Sequence, residues 1–149
     1  MAEERIVAIA VDGSVHSDNA LNYYLDRVQL PGDKLLLIHV PEENYLTDAS
    51  PAIVQELLQK MKEKADEVEK KYTDRLKDVN VQFTFKQRCG KPGEEIVKTA
   101  EEEKASLLMV GSRGHGWLRK TILGSVSHYV LHHTSIPILV CKNFEIQSS

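Results

Sequence analysis

Short apolar runs alternate with amphipathic segments along almost the whole chain, and this alternation constrains the fold more than any other feature. The first two runs lack strict polar alternation, which is typical of strands buried on both faces of a sheet. Residues at helical spacing follow the runs. A repeated strand–helix unit predicts an α/β fold, an open parallel sheet with helices on both faces. The predicted strands cover residues 5–12, 34–40, 81–86, 106–110 and 136–141.

Capping and turn residues predict where the helices begin and end. Residues 31–33, Pro-Gly-Asp, end the first helix. Ser50 and Pro51 supply an N-cap and a first-position proline for a long amphipathic helix. The turn at residues 90–93 leads into a third helix, and Ser125 begins a fourth. Each helix therefore has a local start or stop signal.

Composition excludes several classes of protein. A chain of 149 residues with 42% hydrophobic and 28% charged residues is ordinary for one globular domain. No apolar run reaches the roughly 18 residues of a membrane helix, and the acidic N-terminus does not resemble a secretory signal. Two isolated cysteines, Cys89 and Cys141, suit a reducing compartment. We expect a cytoplasmic protein with no membrane partner and with a C-terminal tail at residues 143–149.

Charge is distributed unevenly along the chain. A net charge of −3 disfavours a nucleic-acid partner. Residues 104–143 contain no Asp or Glu, so this part forms a local positive field of the kind that an anion site needs. The alternative is a chance clustering of charge. The basic residues of this stretch are Lys104, Arg113, Arg119, Lys120 and Lys142.

Two predicted strand ends carry residues suited to a ligand. Open parallel sheets bind ligands beyond the carboxyl ends of their strands, where the strand order reverses. The first strand ends at Asp12, and the fourth ends in a glycine-rich loop that starts at Gly111. If the sheet order is 3-2-1-4-5, these two strands are neighbours and their loops face each other.

The glycine-rich loop and the helix after it favour phosphate. Three glycines between residues 111 and 116 would let backbone amides approach a ligand closely. The helix after Gly124 offers free amides and a partial positive charge. Ser125 and Ser127 can add hydroxyl donors, and Arg113 adds charge. The alternative is a loop whose glycines only permit tight turns.

The ends of the first two strands suggest contacts with a nucleoside. The Asp12 carboxylate is a poor phosphate ligand, but it suits a ribose hydroxyl or an adenine amine. The competing interpretation is that Asp12 or Ser14 caps the following helix. Val40 could offer its backbone to a base edge or could be a plain core residue.

These residues together resemble the signatures of the universal stress protein family. The segment Gly111-Ser-Arg-Gly114, nine residues and Gly124-Ser125 is similar to the family's nucleotide motif, which reads Gly, two residues, Gly, nine residues, Gly, then Ser or Thr. Residues 11–14 and 135–140 also resemble family segments. The resemblance covers residues 4–142, which we take as one domain. Ser106 departs from it, since many members have Asp there.

The resemblance implies a fold, a ligand and a set of binding residues. The fold is a doubly wound, Rossmann-like, five-stranded sheet of order 3-2-1-4-5. The ligand is ATP or AMP, with Mg²⁺ as an optional companion. The residue patterns and the resemblance together predict the nucleotide-binding residues Ala10, Val11, Asp12, Val40, Val110, Gly111, Arg113, Gly114, Gly124, Ser125, Val126 and Ser127.

The last strand predicts a homodimer. Pro137 near its start suits an edge position, because proline supplies no ladder donor. An exposed apolar edge favours pairing with a second copy. The family resemblance implies the same association, so we expect a dimer through residues 136–142.

The sequence favours a binding module over an enzyme. Hydrolysis of ATP needs a positioned water, a base and usually a metal, and Asp12 is the one obvious carboxylate near the predicted site. No P-loop or nucleophile elbow is present. His128 and His132 could form a metal pair, but solvated histidines are the favoured interpretation. We predict a nucleotide-binding stress-response regulator without catalytic or metal-binding residues; a slow ATPase and a nucleotide-free dimeric scaffold are the alternatives.

Overall fold

Five parallel strands form a single sheet in the computed structural model, which describes residues 4–41, 50–112 and 124–142. The strand order is β3-β2-β1-β4-β5. This confirms the predicted doubly wound α/β sheet, including the position of the fifth strand at an edge. The strands are β1 (Ile6–Ala10), β2 (Lys34–His39), β3 (Gln82–Gln87), β4 (Leu107–Gly111) and β5 (Ile138–Cys141).

Four α-helices connect the strands within the described residues. They are α1 (Val15–Tyr23), α2 (Pro51–Leu76), α3 (Pro92–Glu102) and α4 (Ser125–His133). The predicted boundaries agree within a few residues. One difference is that α1 continues as a π-helical turn over Tyr24–Val28, which apolar spacing does not distinguish from an α-helix. Another is that Ser50 occupies the N-cap of α2 without a side-chain capping hydrogen bond.

The central strands bury both faces of the sheet. Val7 and Ile9 of β1 face α1 and α2, and both are fully buried. Ala8 between them faces α3 and α4 and is also fully buried. The continuous apolar composition of β1 and β2 therefore follows from helices on both sides. The outer strand β3 alternates exposed and partly buried residues at its start, as its sequence predicts.

A buried carboxylate organises the amino-terminal edge of the sheet. Asp33 is 5% exposed, and its Oδ2 lies 2.6 Å from Arg5 Nη2 and accepts hydrogen bonds from the Tyr24 hydroxyl at 2.7 Å and the Leu30 amide at 3.0 Å. Arg5 also donates to the Val28 carbonyl. These contacts connect the residue before β1, the π-helical turn and the residue before β2.

The Asp33 network predicts a pH-dependent contribution to stability. Burial raises the pKa of Asp33, but hydrogen bonds from Arg5, Leu30 and Tyr24 lower it by more, so the pKa lies below its ordinary value. A depressed carboxyl pKa contributes stability above the unfolded-state pKa of about 3.9, and that stability is lost as the pH falls through the folded-state pKa.

Asp33→Asn is therefore expected to lower the free energy of unfolding at neutral pH by about 2 kcal/mol, because hydrogen bonds to a charged acceptor are lost. Urea denaturation at several pH values measures the difference between the variant and the parent protein. That difference should shrink as the pH falls from about 5 to about 2. A difference that stays constant over this range would contradict an ionised role for Asp33.

Candidate functional site

A cleft of about 550 Å³ opens at the carboxyl edge of the sheet. It lies above β1, β2 and β4, at the position where the connections from β1 and β4 lead to opposite faces of the sheet. One side of α2 and the amino-terminal ends of α3 and α4 complete its wall. The cleft therefore occupies the switch point at which open α/β sheets bind ligands.

The described residues of the predicted site all line this cleft. They come from the ends of three strands and from the first turn of α4, with its cap. Arg113 and Gly114 lie outside the described residues, and their roles stay predictions from the sequence. The lining residues that the sequence predicted are Ala10, Val11, Asp12, Val40, Val110, Gly111, Gly124, Ser125, Val126 and Ser127.

The amino terminus of α4 is fixed against the end of β4. Gly124 is the N-cap, with an extended backbone (φ −64°, ψ 157°), and its amide donates to the Ser112 carbonyl at 2.7 Å. The buried Ser127 hydroxyl donates to the Gly111 carbonyl. No acidic residue lies in the first turn of the helix. The helix thus presents its free amides and partial positive charge at the cleft.

The Ser127 hydroxyl makes a contact that the sequence does not suggest. Its single proton is directed to a main-chain carbonyl of β4. The role of Ser127 as a phosphate donor stays a prediction from the sequence. The Ser125 side chain, two residues earlier in the helix, is exposed. The contact of Ser127 depends on its burial at the third position of the helix, which the sequence alone does not reveal.

Asp12 belongs both to the cleft and to the turn before α1. Its Oδ1 accepts a hydrogen bond from the Ser14 amide at 2.8 Å and lies 3.1 Å from the Ser17 hydroxyl. Ser14 is the N-cap of α1, and its Oγ accepts a hydrogen bond from the Ser17 amide at 3.3 Å. The two interpretations left open by the sequence are therefore compatible: Ser14 caps the helix, and Asp12 shapes the turn while also lining the cleft.

The sequence missed the contribution of α2 to the cleft. Met61, Lys64, Ala65 and Val68 form one wall. Their spacing predicts an amphipathic helix, but it does not distinguish a helix face packed on the core from one that borders a cavity. Val68 and Ala65 belong to the buried part of α2, whereas Ile53 near its start is 51% exposed.

Further lining residues come from the ends of β2 and α3. His39 is buried, and its ring centroid lies 6.3 Å from that of Phe85. Pro41 follows β2, while Pro92 and Ile96 lie on the first two turns of α3. Together with α2 they make the β2 side of the cleft mainly apolar. Asp12 and Lys64 are the ionic side chains among the lining residues within the described part of the chain.

Neither a membrane helix nor a metal centre is found in the described ranges. Within residues 4–41, 50–112 and 124–142, no helix combines the length and hydropathy needed to cross a bilayer. In the same ranges, no three His, Cys, Asp or Glu side chains converge as metal ligands. The His128 and His132 rings lie 4.4 Å apart on the exposed side of α4.

The fold and the cleft define a doubly wound α/β domain with an open cleft at its switch point. The chain belongs to the universal stress protein family, since the model of that family matches residues 4–142. It is 28% identical over 142 residues to universal stress protein YxiE of Bacillus subtilis, which covers 90% of this chain and 96% of that protein. It is 28% identical over 146 residues to universal stress protein MJ0577 of Methanocaldococcus jannaschii, over 88% of this chain and 90% of that protein.

Solved structures show the same architecture. The structure of MJ0577 superposes with a TM-score of 0.82 at 28% identity and covers 95% of this chain and 98% of its own. A universal stress protein family protein from Arabidopsis thaliana, solved with AMP bound, superposes with a TM-score of 0.71 at 23% identity, over 93% of this chain and 91% of its own. At that level of identity the second likeness concerns the fold.

Proposed function

We propose that this protein binds an adenine nucleotide, ATP or AMP, in the cleft and acts as a nucleotide-dependent regulator in a stress response. The proposal rests mainly on the amino terminus of α4. Its N-cap Gly124 and its first residues line the cleft, and its first turn contains no acidic residue. Free amides and the helix dipole at such an end favour a phosphate group.

The order of the strands suggests how a nucleotide would lie. Neighbouring strands are about 4.8 Å apart, so β2, β1 and β4 give three successive positions along the cleft. The apolar side at β2, with Val40 and Pro41, suits a base. Asp12 at the end of β1 suits a ribose hydroxyl, and Ser125 at the start of α4 suits the phosphates. The base, sugar and phosphate of a nucleotide are connected in this same order, so one nucleotide could occupy the three positions at β2, β1 and β4/α4.

Relatives support the choice of an adenine nucleotide. The Arabidopsis thaliana protein of this fold holds AMP, and another universal stress protein of this fold was solved in complex with cAMP. Both are under 25% identical to this chain. The proposal for this protein therefore rests on its own cleft, and these two structures indicate which class of nucleotide to test first.

A homodimer through residues 136–142 is part of the proposal. β5 pairs with β4 on one side and forms the edge of the sheet within the described residues. An edge strand with partly buried apolar residues can pair with a second copy. Light scattering at micromolar concentration tests this part, and a monomer there would contradict it.

The proposal is tested by looking for the nucleotide directly. Freshly purified protein is denatured, and the released small molecules are separated and identified. Calorimetric titration with ATP and AMP, with and without Mg²⁺, then measures exchangeable binding. We expect saturable binding of at least one of these nucleotides. If neither is released or bound, the proposal is wrong and the nucleotide-free scaffold takes its place.

A further inference from the structure

A chain of hydroxyl groups connects Asp12 in the cleft with α2. The Ser17 Oγ lies 3.1 Å from Asp12 Oδ1 and 2.7 Å from the hydroxyl oxygen of Tyr72. The Tyr72 hydroxyl in turn donates to Asp18 Oδ1 at 2.7 Å. Tyr72 is 1% exposed and Ser17 is 4% exposed. The chain therefore runs through the protein interior, where polar groups interact strongly.

The far end of this chain is held in place by a lysine. Lys71 Nζ lies 2.7 Å from Asp18 Oδ2 and donates to the Gly13 carbonyl at 2.9 Å. Tyr72 also packs against Phe85, with ring centroids 6.4 Å apart. The position of the Tyr72 oxygen is thus fixed from two directions.

Counting the protons shows where the Ser17 hydroxyl points. A carboxylate has no proton to give, so the proton between Tyr72 and Asp18 belongs to Tyr72. Burial, followed by the hydrogen bond to Asp18, raises the pKa of Tyr72 despite the opposing Ser17 contact, and the phenol keeps that proton. Tyr72 can then only accept from Ser17. The single Ser17 proton has three acceptors within reach, and the Tyr72 oxygen, at 2.7 Å, is the nearest.

The other two acceptors are farther from the Ser17 oxygen. Asp12 Oδ1 lies at 3.1 Å and the Ser14 carbonyl at 3.2 Å. Hydroxyl hydrogen bonds are most favourable near 2.7 to 2.8 Å. The Ser17 proton is therefore drawn to Tyr72 and away from Asp12 Oδ1, which accepts a hydrogen bond from the Ser14 amide.

We infer that Tyr72 is a positioning residue for the nucleotide site, because it draws the Ser17 proton away from Asp12 and leaves that carboxylate able to accept from a ribose hydroxyl. This inference rests on the proposed function. Without the Tyr72 hydroxyl, Ser17 would turn its proton to Asp12 or to Ser14. At Asp12 it would compete with the ribose for the same oxygen.

The test is the preference of Tyr72→Phe for a ribose over a sugar without hydroxyls. Dissociation constants for ATP and 2′,3′-dideoxy-ATP are measured by calorimetry, and their ratio gives the preference. We expect the parent protein to bind ATP more tightly than the dideoxy analogue. In Tyr72→Phe the ratio of the two dissociation constants should fall about five-fold, the equivalent of one ordinary hydrogen bond. A general loss of structure would weaken both ligands and leave the ratio unchanged.

Two further variants separate this role from ordinary packing. Tyr24→Phe is the matched control, because Tyr24 is also a buried tyrosine that donates to an aspartate at 2.7 Å, but at the opposite edge of the sheet. It should keep the full preference for ribose. The double variant Ser17→Ala with Tyr72→Phe lacks the competing proton and should recover part of the preference lost in Tyr72→Phe.

The outcomes distinguish this inference from the proposed function. If the parent protein binds neither ATP nor AMP, the proposed function itself fails. If the parent protein prefers ATP over the dideoxy analogue and Tyr72→Phe keeps that preference, only the inference fails. It also fails if Tyr24→Phe loses as much preference as Tyr72→Phe, or if the double variant recovers none.

Discussion

Gly124→Asp is expected to weaken ATP binding by about 100-fold or more while the protein stays folded. Two like charges about 4 Å apart near a protein surface repel each other by about 4 kcal/mol, and each 1.4 kcal/mol is a factor of ten in affinity. Aspartate at residue 124 would place such a charge beside phosphates bound at α4. Calorimetric titration with ATP measures the loss.

The fold should tolerate this change because of the position that Gly124 occupies. It is the N-cap of α4 and has an extended backbone with negative φ, which any residue adopts. Aspartate and asparagine are among the preferred N-cap residues, and glycine is only a few tenths of a kcal/mol worse, so the variant should be about as stable as the parent protein. Thermal unfolding without ligand checks this.

Gly124→Asn is the matched control, because asparagine has nearly the shape of aspartate and the same capping ability but no charge. It should retain much more affinity than Gly124→Asp. Added salt should also reduce the difference between the two variants, since mobile ions screen the repulsion. Equal losses in both variants would show that size, and not charge, excludes the ligand. Unchanged affinity in Gly124→Asp would show that phosphate does not bind at this helix.

The fold followed closely from the sequence because its signals are local. The unbroken apolar run of β1 and the alternating start of β3 differ in pattern for a physical reason: β1 is covered on both faces, and β3 lies at an edge. A proline at the first helical position, such as Pro51, has the same meaning in any helix. The strand order, by contrast, required the family resemblance, because hydrophobic patterns do not specify which strands are neighbours.

The candidate site was predictable where it depends on strand ends and not where it depends on packing. Asp12 follows β1 and Gly124 precedes α4. The sequence predicts both of these element ends, and both residues line the cleft. The wall made by Met61 and Ala65 of α2 depends on how a long helix crosses the sheet, which spacing within that helix does not encode. The link between Ser17 and Tyr72, which are 55 residues apart, depends on the same crossing.

Gly111→Ala is expected to reduce the free energy of unfolding by about 3 kcal/mol, the upper part of the usual range for overpacking a core. A Cβ at this residue would lie 2.6 Å from the His16 carbonyl oxygen and 2.9 Å from its carbon. Both atoms are backbone of α1, so the clash can be relieved only by moving the helix away from β4. Urea denaturation measures the loss, provided that the dependence on denaturant is unchanged.

Two other glycines provide graded controls for Gly111→Ala. At Gly93 a Cβ would lie 2.6 Å from the Tyr129 ring, a side chain that can turn, so Gly93→Ala should cost less, about 1 to 2 kcal/mol. At Gly32 nothing lies within 4 Å, and only the positive φ of 84° opposes a side chain, so Gly32→Ala should cost about 1 kcal/mol. A loss in Gly111→Ala no larger than in Gly32→Ala would contradict the close approach of α1.

The close contact at Gly111 also determines which glycine variant can report on nucleotide binding. The sequence assigned Gly111 to close approach of a nucleotide, whereas the structure gives this residue a second reason to be glycine, the carbonyl of His16. Weaker nucleotide binding in Gly111→Ala would therefore follow from a displaced α1, which carries Ser17 and follows Asp12, as readily as from a lost ligand contact. Gly124 has a backbone that accepts other residues, so a change of affinity there reports on the phosphate itself.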